Sequence, residues 1–324
     1  MRGKVAVEEH FVPPGLEELI SGVGWSPEEW RSVVDRLRDT ERRLEEMDRL
    51  GIELAVLSLG AFGIQDLPEP ARAVELSRRA NDALAEIVAA RPERFAGFAA
   101  LPMQDPAVAT AELERATAEL GLSGALVNGY STVGDPDTGA YYDGEAYLPF
   151  WEQVEALGVP FYLHLRNPLP GQRRIYEGRT ELLGPTWAFA VETGTHALRL
   201  ITSGLFDRFP RLTVVVGHLG EFLPFALPRL EQRLAHIPHV RLERTPTQVL
   251  RENFYVTTSG NNHTASLLAI LLDLGADRLL FAADYPFEEM EDGAAWFDEV
   301  PIAEDDRLKI GRTNALQLLQ RRVS

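Results

Sequence analysis

The 324-residue chain contains no cysteine. This absence excludes disulfides, thiolate metal sites, iron–sulfur clusters and a cysteine nucleophile. Any metal ion must therefore be bound by nitrogen and oxygen ligands.

Basic residues are few, with 32 Lys and Arg against 49 Asp and Glu, which gives a net charge of −17. No segment gathers Lys and Arg into a stripe that could follow phosphates. The N-terminus lacks the apolar stretch of a signal peptide, and no apolar run elsewhere approaches the length of a membrane span. We therefore expect a cytoplasmic protein whose partners include neither nucleic acid nor membrane.

With 45% hydrophobic and 25% charged residues, the chain has the composition of a globular protein that can bury a sizeable core. Apolar runs that end in polar residues predict eight strands, at 3–9, 53–59, 94–100, 123–128, 159–165, 212–217, 253–258 and 278–283. Helical periodicity lies between them, at Pro70–Arg91, Ala107–Leu120, Trp187–Gly204, Glu221–Leu234 and Ala265–Leu274.

Eight strands that alternate with helices predict parallel pairing, and the α/β fold that closes such a set is the (β/α)8 TIM barrel. An open doubly wound sheet is the alternative, but no Gly-rich phosphate loop follows the first strand. The connections at 11–48, 129–150 and 166–186 are longer than one helix needs and are expected to cover the C-terminal face of the barrel. We see no linker or internal repeat, so residues 1–324 are expected to form a single domain.

Catalytic groups of such barrels lie at the C-terminal ends of strands. Glu8 and His10 end the first strand on one face, whereas Glu9 points to the other; His164 ends the fifth strand and Asp284 the eighth. A single residue of this kind is often only a satisfied polar group or a helix cap. Together, however, two imidazoles and two carboxylates suit zinc or manganese and leave room for water or substrate.

A second group follows the sixth strand, where His218 and Glu221 stand three residues apart in what we interpret as the first turn of a helix. The alternative is that both are ordinary polar residues of a helix start. His263 either faces the pocket or caps a loop. Asn128 and Arg166 either hold a substrate or pin loops. Structural or solvent-facing roles are expected for the remaining histidines, His196, His236 and His239.

Motifs along nearly the whole chain resemble those of the γ-resorcylate and 2,3-dihydroxybenzoate decarboxylases, which belong to the aminocarboxymuconate semialdehyde decarboxylase branch of the amidohydrolase superfamily. The motifs are Gly3-Lys4-Val5-Ala6-Val7-Glu8-Glu9-His10-Phe11, Arg94-Phe95-Ala96-Gly97-Phe98-Ala99-Ala100-Leu101-Pro102, Tyr162-Leu163-His164, His196-Ala197-Leu198-Arg199-Leu200, Gly217-His218-Leu219-Gly220-Glu221 and Asp284-Tyr285-Pro286-Phe287-Glu288.

The resemblance implies a carboxy-lyase that uses one divalent ion, Zn²⁺ or Mn²⁺, to decarboxylate a hydroxylated aromatic acid without oxidation. It further implies that the metal is bound by Glu8, His10, His164 and Asp284 and that Asp284 delivers a proton to the ring, with His218 and Glu221 as a catalytic pair beside the substrate. A homodimer or homotetramer is also implied. The chain departs from the family pattern at four places, which are Leu165-Arg166, Gly60-Ala61-Phe62-Gly63, Glu231-Gln232-Arg233 and Asn261.

Two other functions remain open from the sequence. Related barrels use similar ligands to activate water, so a metal-dependent hydrolase or hydratase is the main alternative. A noncatalytic protein that binds phenolic acids is the other. The departures change the expected substrate-facing surface but leave the metal set intact, so the chemistry is better defined than the substrate.

Overall fold

The computed structural model describes residues 1–22, 25–238 and 240–320. The predicted strands are all present, as β1 Lys4–Phe11, β2 Ile52–Leu59, β3 Phe95–Gly97, β4 Ala125–Asn128, β5 Phe161–His164, β6 Val214–Val216, β7 Phe254–Thr257 and β8 Leu279–Leu280. All pairs between neighbouring strands of this set are parallel. An antiparallel hairpin, Ser131–Val133 with Asp135–Ala140, stands apart from them.

The eight strands close into a barrel. Strands β1 to β3 form one parallel sheet and β4 to β8 another. The two sheets meet through a parallel bridge between Ala99 and Ala125, after β3, and through a second between Glu9 and Tyr285, after β8. The predicted (β/α)8 barrel is therefore confirmed, and the open doubly wound alternative is wrong because the last strand returns to the first.

Helices surround the barrel, and several begin with a proline after a side chain that caps free backbone N–H groups. Asp105 caps the helix that begins at Pro106 in this way, and Ser26 and Thr245 form capping boxes for the helices that begin at Pro27 and Pro246. The bounds are α1 Pro27–Arg38, α2 Thr40–Leu50, α3 Pro70–Ala90, α4 Pro106–Ala118, α5 Leu148–Leu157, α6 Ala188–Thr202, α7 Leu205–Arg208, α8 Leu223–Leu234, α9 Pro246–Asn253, α10 Thr264–Leu274, α11 Met290–Glu299, α12 Glu304–Leu308 and α13 Asn314–Leu318. In the described part of the chain, no helix is both long and apolar enough to span a lipid bilayer.

Apolar side chains fill the barrel interior, and the last helix closes its N-terminal end with Leu316 and Leu318. The side chains packed together inside the barrel also include Val5, Val7, Leu54, Val56, Ala96, Phe98, Leu126, Tyr162, Val215 and Leu280. On β1 the pairing with β2 shifts by one residue between Ala6 and Glu9. A shift of this kind is a β-bulge, which changes the side of the sheet that the following residues face. As a result, Glu8 and His10 continue the interior face that Val5 and Val7 began.

The three long connections contain structure of their own. The first holds α1 and α2, the second holds the antiparallel hairpin, and the third is a series of short 3₁₀ turns, at Pro170–Tyr176, Thr180–Leu182 and Gly184–Thr186. Their residues line the cavities at the C-terminal ends of the strands. The expectation that these connections cover that face is therefore confirmed.

Candidate active site

Four ligand-type side chains converge at the C-terminal end of the barrel. Glu8 and His10 come from β1, His164 is the last residue of β5, and Asp284 lies four residues beyond β8. One nitrogen or oxygen atom from each lies within 4.8 Å of the others, and all four residues are buried. Among the residues that the structure describes, no second cluster of this kind occurs.

One atom of each side chain has no hydrogen-bond partner, namely Oε1 of Glu8, Nε2 of His10, Nε2 of His164 and Oδ1 of Asp284. His10 Nε2 lies 3.1 Å from Asp284 Oδ1, and His164 Nε2 lies 3.1 Å from Glu8 Oε1. Buried polar atoms are rarely left unpaired, since desolvation without a partner costs about 1–3 kcal/mol each. Two imidazole nitrogens and two carboxylate oxygens that point at one another are a donor set that fits one divalent ion.

The second polar atom of each histidine is already held by a neighbouring strand. His164 Nδ1 lies 2.6 Å from Oδ1 of Asn128, on β4, and His10 Nδ1 lies 3.1 Å from Oγ of Ser58, on β2. Because an amide oxygen only accepts hydrogen bonds, Nδ1 of His164 carries the proton and Nε2 keeps its lone pair. Partners of this kind orient metal-binding histidines.

Glu8 is anchored in the same manner through its other oxygen. Oε2 accepts hydrogen bonds from the hydroxyls of Tyr162, Thr257 and Ser259, and the Thr257 distance is 2.9 Å. Burial raises the pKa of Glu8, but the neighbouring histidines outweigh it and the pKa lies well below the usual range. Burial is also the main reason that the pKa of His164 is lowered. The cluster therefore contains an anionic carboxylate and a neutral imidazole, the forms that bind metals.

His218 and Glu221 are paired, as their spacing predicts, but the prediction that they lie in the first turn of a helix is wrong. Residues 218–222 all have positive φ, between 50° and 84°, and α8 begins only at Leu223. A left-handed turn also brings residues i and i+3 together, and His218 Nδ1 lies 2.7 Å from Glu221 Oε1. Four of these five residues are not glycine, so the turn is strained.

The His218 ring connects this pair with the cluster. Its Nε2 lies 3.4 Å from Asp284 Oδ2 and 3.7 Å from Glu8 Oε1. Burial lowers the pKa of His218, but the carboxylates of Glu221, Glu8 and Asp284 outweigh it and hold the pKa well above its ordinary value. The imidazole is therefore positioned to exchange a proton with Asp284.

An apolar cleft opens directly above the cluster. Its walls are formed mainly by Trp25, Ala61, Phe62, Leu165, Pro185, Phe189 and Phe287, with Ser21, Asn167, Gly184 and Glu288 beside them and His164 and Asp284 at its inner end. Phe62 and Phe189 meet edge to face at 5.8 Å. An adjoining cavity shares the walls formed by Leu165, Pro185 and Phe189. It is also lined by His218, Glu221 and Asn261. A flat aromatic molecule with one polar side fits such a cleft.

Many unrelated enzymes share the barrel fold, and similarity to known proteins identifies the family of this one. A family model described as amidohydrolase matches residues 8–321. The chain belongs to the amidohydrolase family.

Within the family, the chain is 51% identical to the γ-resorcylate decarboxylase of Rhizobium radiobacter over 325 residues, which cover 99% of both proteins. It is similar to a crystal structure of 2,6-dihydroxybenzoate decarboxylase complexed with 2,6-dihydroxybenzoate, with a TM-score of 0.95, 51% identity and coverage of 99% and 100%. It is also similar to the dihydroxybenzoic acid decarboxylase of Polaromonas sp. JS666, solved with bound manganese and the inhibitor 2-nitroresorcinol. That match has a TM-score of 0.95, 50% identity and coverage of 99% and 97%.

The other candidate residues of this amidohydrolase have structural contacts. Arg166 donates to the carbonyls of Gln65 and Tyr130 and to Asp66 and Thr132, so it joins loops. Asn128 holds His164, as described above. The N-terminus of α10 is capped by the exposed His263, so that residue does not face the pocket.

The expected roles of two further histidines also agree with their positions. His196 is buried within α6, and His236 is exposed after α8. His239 lies outside the described residues. In the sequence, the buried His196 could be distinguished from the exposed His236 only by whether each lay on the apolar face of a helix.

Three of the four departures from the family pattern face the substrate side. Phe62 and Leu165 line the cleft, and Asn261 lines the adjoining cavity. Residues 231–233 lie in α8 instead, where Glu231 accepts from the backbone N–H of Thr247. The groups that the sequence analysis did not identify are those that orient the cluster, namely Ser58, Tyr162, Thr257 and Ser259. Their signal, a hydroxyl within or directly after a predicted strand, is too common to single them out.

Proposed function

We propose that this amidohydrolase is a metal-dependent, nonoxidative decarboxylase of an ortho-hydroxylated aromatic acid of the 2,6-dihydroxybenzoate type. The observation that carries the proposal is the set of four unpaired buried ligand atoms at the inner end of an aromatic cleft. The similar enzymes named above act on dihydroxybenzoates, and one of them holds manganese. We therefore assign one divalent ion, Mn²⁺ or Zn²⁺, to Glu8, His10, His164 and Asp284.

Bound at this position, the ion would orient the substrate's carboxylate and ortho hydroxyl and stabilise negative charge on the phenolic oxygen. The cleft supplies the rest of the binding, since Phe62, Phe189 and Phe287 offer ring faces and edges to the substrate. The ring is thereby held with its carboxylate toward the cluster and its far edge toward the mouth of the cleft.

Asp284 is proposed as the general acid. Its Oδ1 belongs to the ligand cluster, whereas Oδ2 faces His218 Nε2 at 3.4 Å. The carboxyl group gives its proton to the ring carbon that bears the carboxylate. The bond between that carbon and the carboxylate then breaks, its electron pair restores the aromatic ring, and carbon dioxide leaves.

His218 and Glu221 are proposed to act as a pair that reprotonates Asp284 beside the substrate. Glu221 holds His218 Nδ1 at 2.7 Å, which points Nε2 at Asp284. In this position the imidazole returns a proton to Asp284 after each turnover. Overall, one carboxylate and one proton become one arene and one molecule of carbon dioxide, so no oxidant or nicotinamide is needed.

We further propose that residues 1–324 form one domain, because β1 pairs with β2 and also bridges to the segment after β8. The homodimer or homotetramer and the cytoplasmic location stay predictions. Light scattering of the purified protein tests the first of these.

A panel of benzoates with hydroxyl groups at different positions tests the function. We expect carbon dioxide release, with deuterium from solvent at the carbon that lost the carboxylate, only for compounds with an ortho hydroxyl. Without that hydroxyl the substrate loses a metal contact and the electron release that lets the ring accept a proton. Each ~1.4 kcal/mol of lost transition-state stabilisation lowers the rate about tenfold.

Three results would contradict the proposal. Equal activity on benzoates that lack the ortho hydroxyl would remove the proposed contact with the metal. Hydrolysis of esters or amides in preference to decarboxylation would favour the hydrolase, and tight binding of the acids without turnover would favour the noncatalytic protein.

A further inference from the structure

The side chain of Glu9 lies between two of the proposed ligands on β1 but points to the opposite side of the strand. It is fully buried, and its two oxygens accept hydrogen bonds from the backbone N–H groups of Ala283, at 2.9 Å, and Tyr285, at 3.3 Å. These two residues flank Asp284. One carboxylate therefore holds the backbone on both sides of the proposed general acid.

Asp284 needs such support because regular sheet structure does not hold it. Strand β8 ends at Leu280, and Asp284 has φ of +65°, a conformation that residues other than glycine adopt only when their surroundings impose it. Its own N–H donates to the carbonyl of Glu8 at 3.0 Å. The position of Asp284 relative to β1 therefore depends on a few local contacts.

Arg43, on α2, contacts both sides of the same junction. Its guanidinium donates to the carbonyl oxygen of His10 and lies 4.6 Å from the centre of the Tyr285 ring. The side chain is buried. Burial raises the pKa of Glu9 to about 8, and the positive charge of Arg43 opposes this shift. A planar cation that donates to one segment and stacks on the other holds the two segments at a defined separation.

We propose that Glu9 and Arg43 are positioning residues that set the separation between the ligands on β1 and Asp284. The inference rests on the proposed metal site and extends it, because neither side chain belongs to the ligand cluster. Groups that orient ligands in this way typically change metal affinity 10–100-fold when they are altered.

The main test is the variant Glu9→Gln, titrated with Mn²⁺ by calorimetry after removal of metal. The amide keeps one acceptor oxygen but places an NH₂ group against the second N–H. We expect the dissociation constant for Mn²⁺ to rise about tenfold or more and the electron paramagnetic resonance spectrum of the bound ion to change. Both measurements report on the metal site without reference to turnover.

The matched control is Glu112→Gln. Glu112 is also a buried carboxylate, but it lies on α4 and accepts from Asn81 and Arg115 on the outside of the barrel. This variant should lose thermal stability yet bind Mn²⁺ with nearly wild-type affinity. A loss of affinity equal to that of Glu9→Gln would show that general destabilisation explains both, and would overturn the positioning role.

The variant Arg43→Lys provides a second test of the same inference if Glu9→Gln does not fold. Lysine retains the charge but cannot lie flat on the Tyr285 ring, so Mn²⁺ affinity should again fall about tenfold. Wild-type affinity and an unchanged spectrum in either folded variant would overturn the inference. Failure of the wild-type chain to bind Mn²⁺ would contradict the proposed metal site as well. Wild-type binding that neither variant weakens would contradict only the positioning role.

Discussion

At the scale of single residues, the two oxygens of Asp284 make different contacts. Oδ1 points toward the other ligand atoms that lack hydrogen-bond partners, whereas Oδ2 faces His218. The same side chain is therefore suited to bind a metal and to transfer a proton, and its replacement should affect the two roles to different degrees.

For the Asp284→Asn variant, we expect turnover to fall below about one per cent of the wild-type rate, a loss of at least ~2.7 kcal/mol in transition-state stabilisation. An amide can neither donate the ring proton nor supply the anionic ligand. The measurement is the rate of carbon dioxide release together with metal content by elemental analysis. Asp277→Asn, on an exposed side chain that pairs with Lys309, is the control. A rate above a few per cent in a metal-loaded variant would contradict the role as general acid.

His218→Asn should separate rate from metal binding. Nε2 of His218 lies beside the cluster at 3.4 Å from Asp284 and does not belong to it. We therefore expect a large loss of rate, about 100-fold or more, with near-normal metal content. The exposed His236, replaced in the same way, is the matched control and should leave both unchanged. Loss of the metal in His218→Asn would instead make this residue a ligand.

The sequence was sufficient to predict which residues meet, because ligand-type side chains stood at the C-terminal ends of three predicted strands and these ends share one face of the barrel. It was not sufficient to predict what orients them. The contact between His164 and Asn128 depends on the register between β4 and β5, which pairs these two residues directly. Apolar strands do not encode that register locally, since sliding by two residues preserves the same pattern.

At the scale of elements, two features of the site are departures from regular structure. The bulge in β1 turns Glu8 and His10 inward after Val7, and strict alternation from Val5 and Val7 would have turned them outward. The left-handed turn at residues 218–222 replaces the predicted start of α8. Both depend on tertiary contacts that outweigh local preferences, and such departures are typical of functional sites.

Helix α6 carries a buried histidine whose titration should affect stability. His196 accepts a hydrogen bond from the backbone N–H of Tyr142 at 3.2 Å, and burial, helped by Arg199, lowers its pKa to about 3. Well above pH 6.5 the imidazole is neutral in both the folded and the unfolded chain. As the pH falls, the unfolded chain takes up a proton that the folded chain refuses, so the free energy of unfolding decreases.

Comparison with His196→Gln measures this effect, since glutamine can accept the same hydrogen bond without titrating. Between about pH 8 and about pH 5, the wild type should lose about 2 kcal/mol more unfolding free energy than the variant. Denaturant unfolding at several pH values provides the data. His236→Gln, at an exposed position, should follow the wild type. Parallel pH profiles for wild type and His196→Gln would contradict the prediction.

At the scale of the whole molecule, the barrel brings together residues that are distant in the chain. Glu8 and His164 are separated by more than 150 positions and Asp284 lies near the C-terminus, yet closure places them within 4.8 Å. The overall fold was predictable because eight apolar runs alternated with helical segments. The closure itself depends on pairing between the first strand and the segment after the last, including the bridge between Glu9 and Tyr285.

This arrangement predicts that the metal ion stabilises the folded protein in addition to binding the substrate. A bound ion would link β1, β5 and the segment after β8, and it would compensate two buried carboxylates that otherwise repel each other. A ligand present at about 100 times its dissociation constant adds about 2.7 kcal/mol to the free energy of unfolding. For a chain of this size we therefore expect removal of the metal to lower the melting temperature by about 5 °C.

Thermal unfolding of the chelated protein, with and without added Mn²⁺, measures the effect, and Glu8→Gln serves as the matched control. The control loses the carboxylate whose Oε1 is unpaired but keeps an oxygen that can accept from Tyr162, Thr257 and Ser259. Its melting temperature should respond little to Mn²⁺, whereas that of the wild type should rise with the logarithm of the free ion concentration once this exceeds the dissociation constant. An equal rise in both proteins would place the stabilising ion elsewhere on this acidic molecule. No rise in either would mean that the four side chains do not bind the ion tightly enough to link the strands.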